Sequence, residues 1–407
     1  MKKLYFLVVF YFLVLVSCDE NEEYEYYNLA TPVLMDLSEI RASFNLLPPR
    51  EIEESGKIYT YNYYVFVNDA NKGVHIIDNR NPENPKKIGF LNIPGNVDIS
   101  VKDNKLYANS LVDLVVFDIS NIDNIKQVNI LKDVFYYYYN IPEGADDVDW
   151  SSFNTQESLP VDWVITKEKR LKNETSYYID DMVFATAEAS NVGTGGSLAR
   201  FKIVEDYLYV VDSHNINVFG IQNLDEPKKL ESVHAGFDIE TIFNKDDHLF
   251  IGSMSGMYIY NISNPSTPTF ISEFQHGTAC DPVVVDDKYA YITLRAGNLC
   301  GAFDSSLQIV NIEDLKNPVL EKSYLMDSPY GLGVKDEKVF ICDGDSGLKV
   351  YDKSNVQDLK LLNHFENINT YDVIPLASNL LMIGDGVLYQ YSYQESGLNL
   401  LSTFNLN

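Results

Sequence analysis

Gly73-Val74-His75-Ile76-Ile77-Asp78, Leu114-Val115-Val116-Phe117-Asp118 and Gly347-Leu348-Lys349-Val350-Tyr351-Asp352 are copies of one short apolar run that closes on an aspartate. A second signature precedes each copy: Val65-Phe66-Val67-Asn68-Asp69, Leu106-Tyr107-Ala108-Asn109-Ser110 and Val339-Phe340-Ile341-Cys342-Asp343. The pair recurs seven times along the 407 residues. Gly73, Asp113, Asn215, Gly256, Ser306, Gly347 and Gly386 open the later run, so the successive steps are 40, 102, 41, 50, 41 and 39 residues. A fixed period of this size in β-rich units predicts a ring of radially packed sheets, a β-propeller.

Residues 95–134 show how one unit makes one blade. Val97, Ile99 and Val101 alternate with Asp98, Ser100 and Lys102, which is the period of a strand. Polar turns at 102–105 and 112–113 separate this strand from two more, and a longer connection at 118–124 leads to a fourth. The second strand carries apolar or aromatic residues at successive positions, so both of its faces can be buried between neighbouring sheets. Prolines such as Pro82, Pro85, Pro227, Pro265 and Pro318 fall between the third and fourth strands, where an edge tolerates a missing donor. Seven blades of four antiparallel strands are expected, with six or eight as the alternatives.

Two departures from the period matter. About 62 residues, 135–196, are inserted between units two and three, and about 10 more lie in unit five, 296–305. Insertions on propellers map to loops at one face, often the binding face. The chain therefore divides into a leader (1–17), an acidic flexible tether (18–56) and a propeller domain (57–407). Within the insertion, 161–166 and 176–186 could form a hairpin.

The leader has Lys2 and Lys3 before an unbroken apolar run over 4–16, too short to span a bilayer comfortably. It ends in Leu15-Val16-Ser17-Cys18, which resembles a bacterial lipobox and implies cleavage before Cys18 and lipidation of its thiol. The following Asp19-Glu20-Asn21-Glu22-Glu23-Tyr24-Glu25 is similar to acidic export signals of some surface lipoproteins. The implied location is the outer membrane, at the cell surface or otherwise facing the periplasm. Outside the cytoplasm thiols tend to pair, and Cys280 and Cys300 share one unit, so a bridge between them is expected. Cys342, inside an apolar strand, is expected to be a buried inert thiol.

Longer stretches carry a family resemblance. Gly196-Ser197-Leu198-Ala199-Arg200-Phe201, Cys280-Asp281-Pro282-Val283-Val284-Val285, Thr293-Leu294-Arg295-Ala296-Gly297 and Pro329-Tyr330-Gly331-Leu332-Gly333, with the runs Leu114–Ser120 and Val74–Asp78, resemble the bacterial LVIVD-repeat family over residues 58–407. The resemblance implies a β-propeller on a secreted lipoprotein and implies no particular activity.

Composition narrows the function classes. Lys+Arg is 31 against Asp+Glu 59, a formal charge of −28, which excludes a nucleic-acid binder and leaves the lipid anchor as the expected membrane contact. The chain has no GxSxG, HExxH, P-loop or GxGxxG motif, and its six histidines lack metal-ligand spacing. Asp343-Gly344-Asp345-Ser346-Gly347 is half a calcium loop without the later Glu, so Ca²⁺ is a minor possibility and no cofactor is expected. Polar residues near the start of the innermost strands would line a central channel: Asp98, Arg200, Asp238, Glu240, Asp281, Tyr330 and Asp372, with Arg295 as a counter-charge. The insertion holds Tyr137, Tyr138, Trp150 and Trp163, aromatic platforms suited to a sugar ring or a protein partner. These features point to a monomeric binding or scaffold propeller for a protein or glycan. A channel-based hydrolase or lyase and a structural envelope-assembly lipoprotein are the alternatives.

Overall fold

The computed structural model describes residues 24–137, 141–142, 144–152, 157–171, 194–276, 282–296, 304–395 and 397–407. Cys18, Cys280, Cys300, Asp281 and Tyr138 lie outside the described residues, as does the second half of the expected insertion hairpin.

Seven sheets each hold four consecutive antiparallel strands, over residues 55–92, 99–131, 201–234, 239–275, 283–325, 332–365 and 372–405; they are blades I to VII. In blade I the strands are Ser55–Tyr61, Tyr64–Asp69, Gly73–Asp78 and Lys86–Asn92. The first strand of every blade is innermost. Each packs against the first strand of the next blade, and Asp372–Pro375 of blade VII returns to Ser55–Tyr61 of blade I, so the ring closes.

The second strands explain the cohesion of neighbouring blades. Tyr107, Tyr209, Tyr291, Phe66, Phe250 and Phe340 are buried between sheets. The Tyr107 hydroxyl reaches blade III and donates to Leu224 O at 2.9 Å, and the Tyr209 hydroxyl reaches blade IV and donates to Pro265 O at 2.8 Å. A buried ring with its hydroxyl satisfied brings packing area and leaves no orphaned polar atom.

Among the described residues, closure uses no strand exchanged between the chain ends. Ile52, Ile58, Val65 and Ile77 from the start of the chain share one cluster with Ile374, Leu381, Ile383, Leu388 and Leu406 from its end. Ile52 N donates to Leu406 O at 3.1 Å, and Gln390 Nε2 donates to Asn79 Oδ1 at 2.7 Å.

Within the tether expected over 18–56, residues 24–56 hold ordered structure. Tyr24–Asp36 is a strand of 13 residues, paired along its whole length with Ser158–Leu171 of the insertion; its other edge carries Asp147–Val148 in parallel. Residues 161–166 thus pair with the N-terminal segment, and the other half of the expected hairpin, 176–186, lies outside the described residues. A short helix, Leu37–Ile40, follows, and Asn45–Leu47 then covers the outer edge of blade I. Arg41 Nε is 2.6 Å from Asp113 Oδ2, which ties this segment to blade II and raises the guanidinium pKa.

The two ends of the ring differ in charge. The hairpin turns between first and second strands all lie at one end, the lower face. They carry Asp103, Glu205-Asp206, Asp246-Asp247, Asp286-Asp287 and Asp336-Glu337. Lys102 and Lys245 neutralise part of this circlet by pairing with Asp206 and Asp287. The insertion leaves from the opposite, upper face. There the aspartates are mostly consumed inside the fold: Asp69 accepts from Glu53 N, Glu54 N, Arg50 and His75, and Asp212 from His214 N and Asn215 N.

Candidate functional site

The segment expected to open the inner strand of blade III does something else first. The strand begins only at Phe201. Residues 194–200 run across the middle of the ring. Thr194–Gly195 pairs with Tyr59 and Thr60 of blade I, Leu332 N of blade VI donates to Ser197 Oγ at 2.6 Å, and Ile242 N of blade IV donates to Ala199 O at 2.9 Å. Ser197, Leu198 and Ala199 are all buried. Gly196 is required there, because a Cβ on it would lie 1.6 Å from Asp372 Oδ1. The hydrated funnel expected from the sequence is thus crossed by the chain itself.

This accounts for the channel residues. Asp98 is buried and accepts from Ile99 N at 2.8 Å, Arg200 N at 2.7 Å and Phe201 N at 3.1 Å, so it staples blade II to blade III. Asp372 does the same between blades VII and I, accepting from Val373 N at 3.0 Å and Ile58 N at 3.4 Å. The arrangement holds a residue that sequence reasoning missed, Lys57, whose Nζ is 3.9 Å from Asp98 Oδ2 and which is only 6% exposed. Burial lowers the Lys57 ammonium to about 7 against the opposing pull of Asp98 and Asp372. Burial likewise raises the Asp372 carboxyl to about 7 and pushes Asp98 upward. Unit one's inner strand, aligned on Asp98, would have exposed Lys57 as the odd cation.

Glu240 is buried in blade IV, and Asp238 sits half-buried at the rim with a positive φ of 52°. Arg295 donates to the Tyr330 hydroxyl at 2.7 Å and lies over its ring, which in turn packs on Tyr371. The half calcium loop is a 3-10 turn, Gly344–Ser346, and the Lys349 ammonium stands between Asp343 and Asp327 where a cation would go. Among the described residues, no group of His, Cys, Asp or Glu is arranged to hold a metal. Cys342 is buried as expected, and burial raises its thiol pKa.

A cleft of about 180 Å³ opens on the upper face over blades I to III. One wall is the rim of the blades: Asn71, Val97, Asp98, Asn109, Arg200 and Asp212. The other is the insertion, with Phe135, Tyr136, Tyr137, Pro160, Val161 and Trp163. Two of the predicted channel residues, Asp98 and Arg200, therefore meet two of the predicted insertion aromatics, Tyr137 and Trp163. Trp150 stays outside the cleft, on the surface. The aromatic wall is fixed by three contacts: the pairing of Pro32 with Trp163, the Tyr137 hydroxyl donating to Pro160 O at 3.2 Å, and Lys72 Nζ 2.5 Å from Asp162 Oδ2. The lining carries Glu54, Asp98, Asp162 and Asp212 against Lys72 and Arg200, an excess of negative charge.

Comparison with known proteins agrees with the fold. Residues 242–275, nearly the whole of blade IV, match the LVIVD repeat family model. Among solved structures, the periplasmic gluconolactonase of Pseudomonas aeruginosa is similar at 8% identity and a TM-score of 0.54, over 89% of this chain and 95% of that one. A protein from Lactobacillus plantarum is similar at 10% identity and 0.54, over 86% and 96%. Sqt1 of Saccharomyces cerevisiae is similar at 10% and 0.51, over 88% and 87%. At these identities the likeness is one of fold alone. Comparison with curated proteins gives no match.

Proposed function

We propose that this β-propeller, one blade of which matches the LVIVD repeat family model, is a binding module, lipid-anchored through Cys18, whose upper cleft holds one sugar ring of a glycan partner. The observation that carries this reading is the meeting of an aromatic wall, Tyr137 and Trp163, with a polar wall that includes Asn71 and Arg200, across a space of about 180 Å³. A pyranose has apolar C–H faces for the first wall and hydroxyls for the second. The acidic excess of the lining disfavours an anionic ligand. Display at the cell surface, or on the periplasmic side of the outer membrane, follows from the leader and the acidic segment behind Cys18. Catalysis in the channel has less support, since residues 194–200 occupy the space a substrate would need.

The test is a glycan array with the soluble chain from residue 19, followed by calorimetry on the best hit. Trp163→Ala should weaken binding at least about tenfold, as loss of an aromatic anchor costs about 2 kcal/mol or more. An array with no hit, or a hit indifferent to Trp163, would overturn the assignment.

A further inference from the structure

The paired strands Tyr24–Asp36 and Ser158–Leu171 form an arm about 40 Å long at roughly 3.3 Å per residue. Its root forms the cleft wall. The tip, residues 24–28 with 167–171, is a two-stranded ribbon with one distinctive face. Tyr26 pairs with Lys169 and Asn28 with Lys167. The Lys169 ammonium lies 3.9 Å over the Tyr24 ring and that of Lys167 5.8 Å over Tyr26. Tyr24 is 46% and Tyr26 68% exposed, and both lysines are exposed. On the other face Arg170 is consumed by Glu25 and Asp147. Exposed tyrosine beside lysine is the composition of a surface that meets lipid headgroups, with rings at the boundary and ammonium groups on phosphate.

Two further facts select that occupant. Only five residues separate Cys18 from Tyr24, so an acyl chain on Cys18 holds the arm's tip within about 20 Å of the bilayer. The net charge of −28 would oppose docking if it were spread evenly, but the acidic hairpin turns crowd the lower face, at the opposite end of the ring from the arm, and the tip itself carries Lys167, Lys169 and Arg170 against Glu25 and Glu168, with Asp19, Glu20, Glu22 and Glu23 between it and Cys18.

We infer that the face formed by Tyr24, Tyr26, Lys167 and Lys169 rests on phosphate-bearing lipid headgroups, so that the propeller stands with its cleft towards its own membrane and its acidic face outward. This rests on the anchored reading above, and it widens the membrane contact expected from the sequence from the lipid alone to lipid plus arm.

The full lipidated chain is reconstituted into phosphatidylethanolamine–phosphatidylglycerol vesicles carrying a headgroup acceptor dye. A donor dye is placed by amber suppression at Ile165, on the arm, or at Asp287, in a lower turn. Strong energy transfer from 165, weak transfer from 287, and loss of that difference in the Lys167→Glu/Lys169→Glu variant are the expected results. Equal transfer from both positions, or a difference unmoved by the charge reversal, would overturn the arm's role while leaving the anchor intact. A chain that washes off the vesicles and shows no acyl mass at Cys18 sinks the anchored reading and this inference together.

Discussion

A single glycine and a single carboxylate meet at the centre of the molecule. Asp372 is fully buried, touches Gly196 of the crossing segment, and accepts from two backbone amides. The amide bonds favour its ionised form, but desolvation is the larger influence and raises its pKa from 3.8 to about 7. A carboxyl whose folded pKa lies above its unfolded value holds its proton longer in the fold. Its contribution to stability is therefore present below pH 4 and lost as pH rises towards 7. Asp372→Asn removes that titration. Relative to the parent, the variant should gain stability between pH 4 and 7, by up to several kcal/mol on the scale of 1.36 kcal/mol per unit of pKa shift. Urea unfolding of both proteins at pH 4.5 and 7.5 reads the effect; parallel pH profiles would show that Asp372 does not titrate anomalously. Lys57 acts in the adjoining window: its folded pKa is depressed from 10.5 to about 7, so it costs stability as pH falls from about 10 to 7.

Among the elements, the blades and the arm were legible to very different degrees. The blades repeat, and each second strand announces itself by apolar residues on both faces, so the blade architecture and strand order could be read directly, while their number was read as seven with six or eight left open. The arm has no repeat. Its pairing joins Tyr24–Asp36 to residues more than 120 positions later, and the sequence Tyr24-Glu25-Tyr26-Tyr27-Asn28 shows no clean alternation because neither face of the ribbon's tip is buried. Acidic residues and Pro32 made it read as a tether. The site was half legible for the same reason. Asp98, Arg200, Tyr137 and Trp163 were each singled out, but only the pairing with the N-terminal strand brings Trp163 over the blade rim. The arm is also separable from the ring. Deleting residues 140–190 removes Ser158–Leu171 and both tryptophans, yet touches no blade strand. Such a variant should keep a cooperative thermal transition close to the parent's, with strand content preserved by circular dichroism, and should lose the cleft. A non-cooperative melt would mean that the insertion belongs to the core.

At the scale of the whole molecule, the question is what keeps a ring shut when its first blade comes wholly from one end of the chain and its last wholly from the other. Exchange of a strand across the junction would close it through backbone hydrogen bonds, but every strand of blades I and VII pairs within its own sheet. The junction relies mainly on side chains, beside the bond from Ile52 N to Leu406 O, and Leu406 is fully buried in the cluster that spans it. Chain ends ordinarily fray because little holds them; Leu406 is held by the cluster that joins blades I and VII. Leu406→Ala should therefore destabilise by about 2–5 kcal/mol, the range for a buried leucine that leaves a cavity. Leu320→Ala, on the outer strand of blade V and 47% exposed, should cost less than about 1 kcal/mol. Chemical denaturation of the two variants makes the comparison. Similar small costs would mean that the ring stays closed by the blade-to-blade packing of its inner strands, with the C-terminus as a passenger; a large cost confined to Leu406 would show that the junction cluster is what stabilises the closed ring.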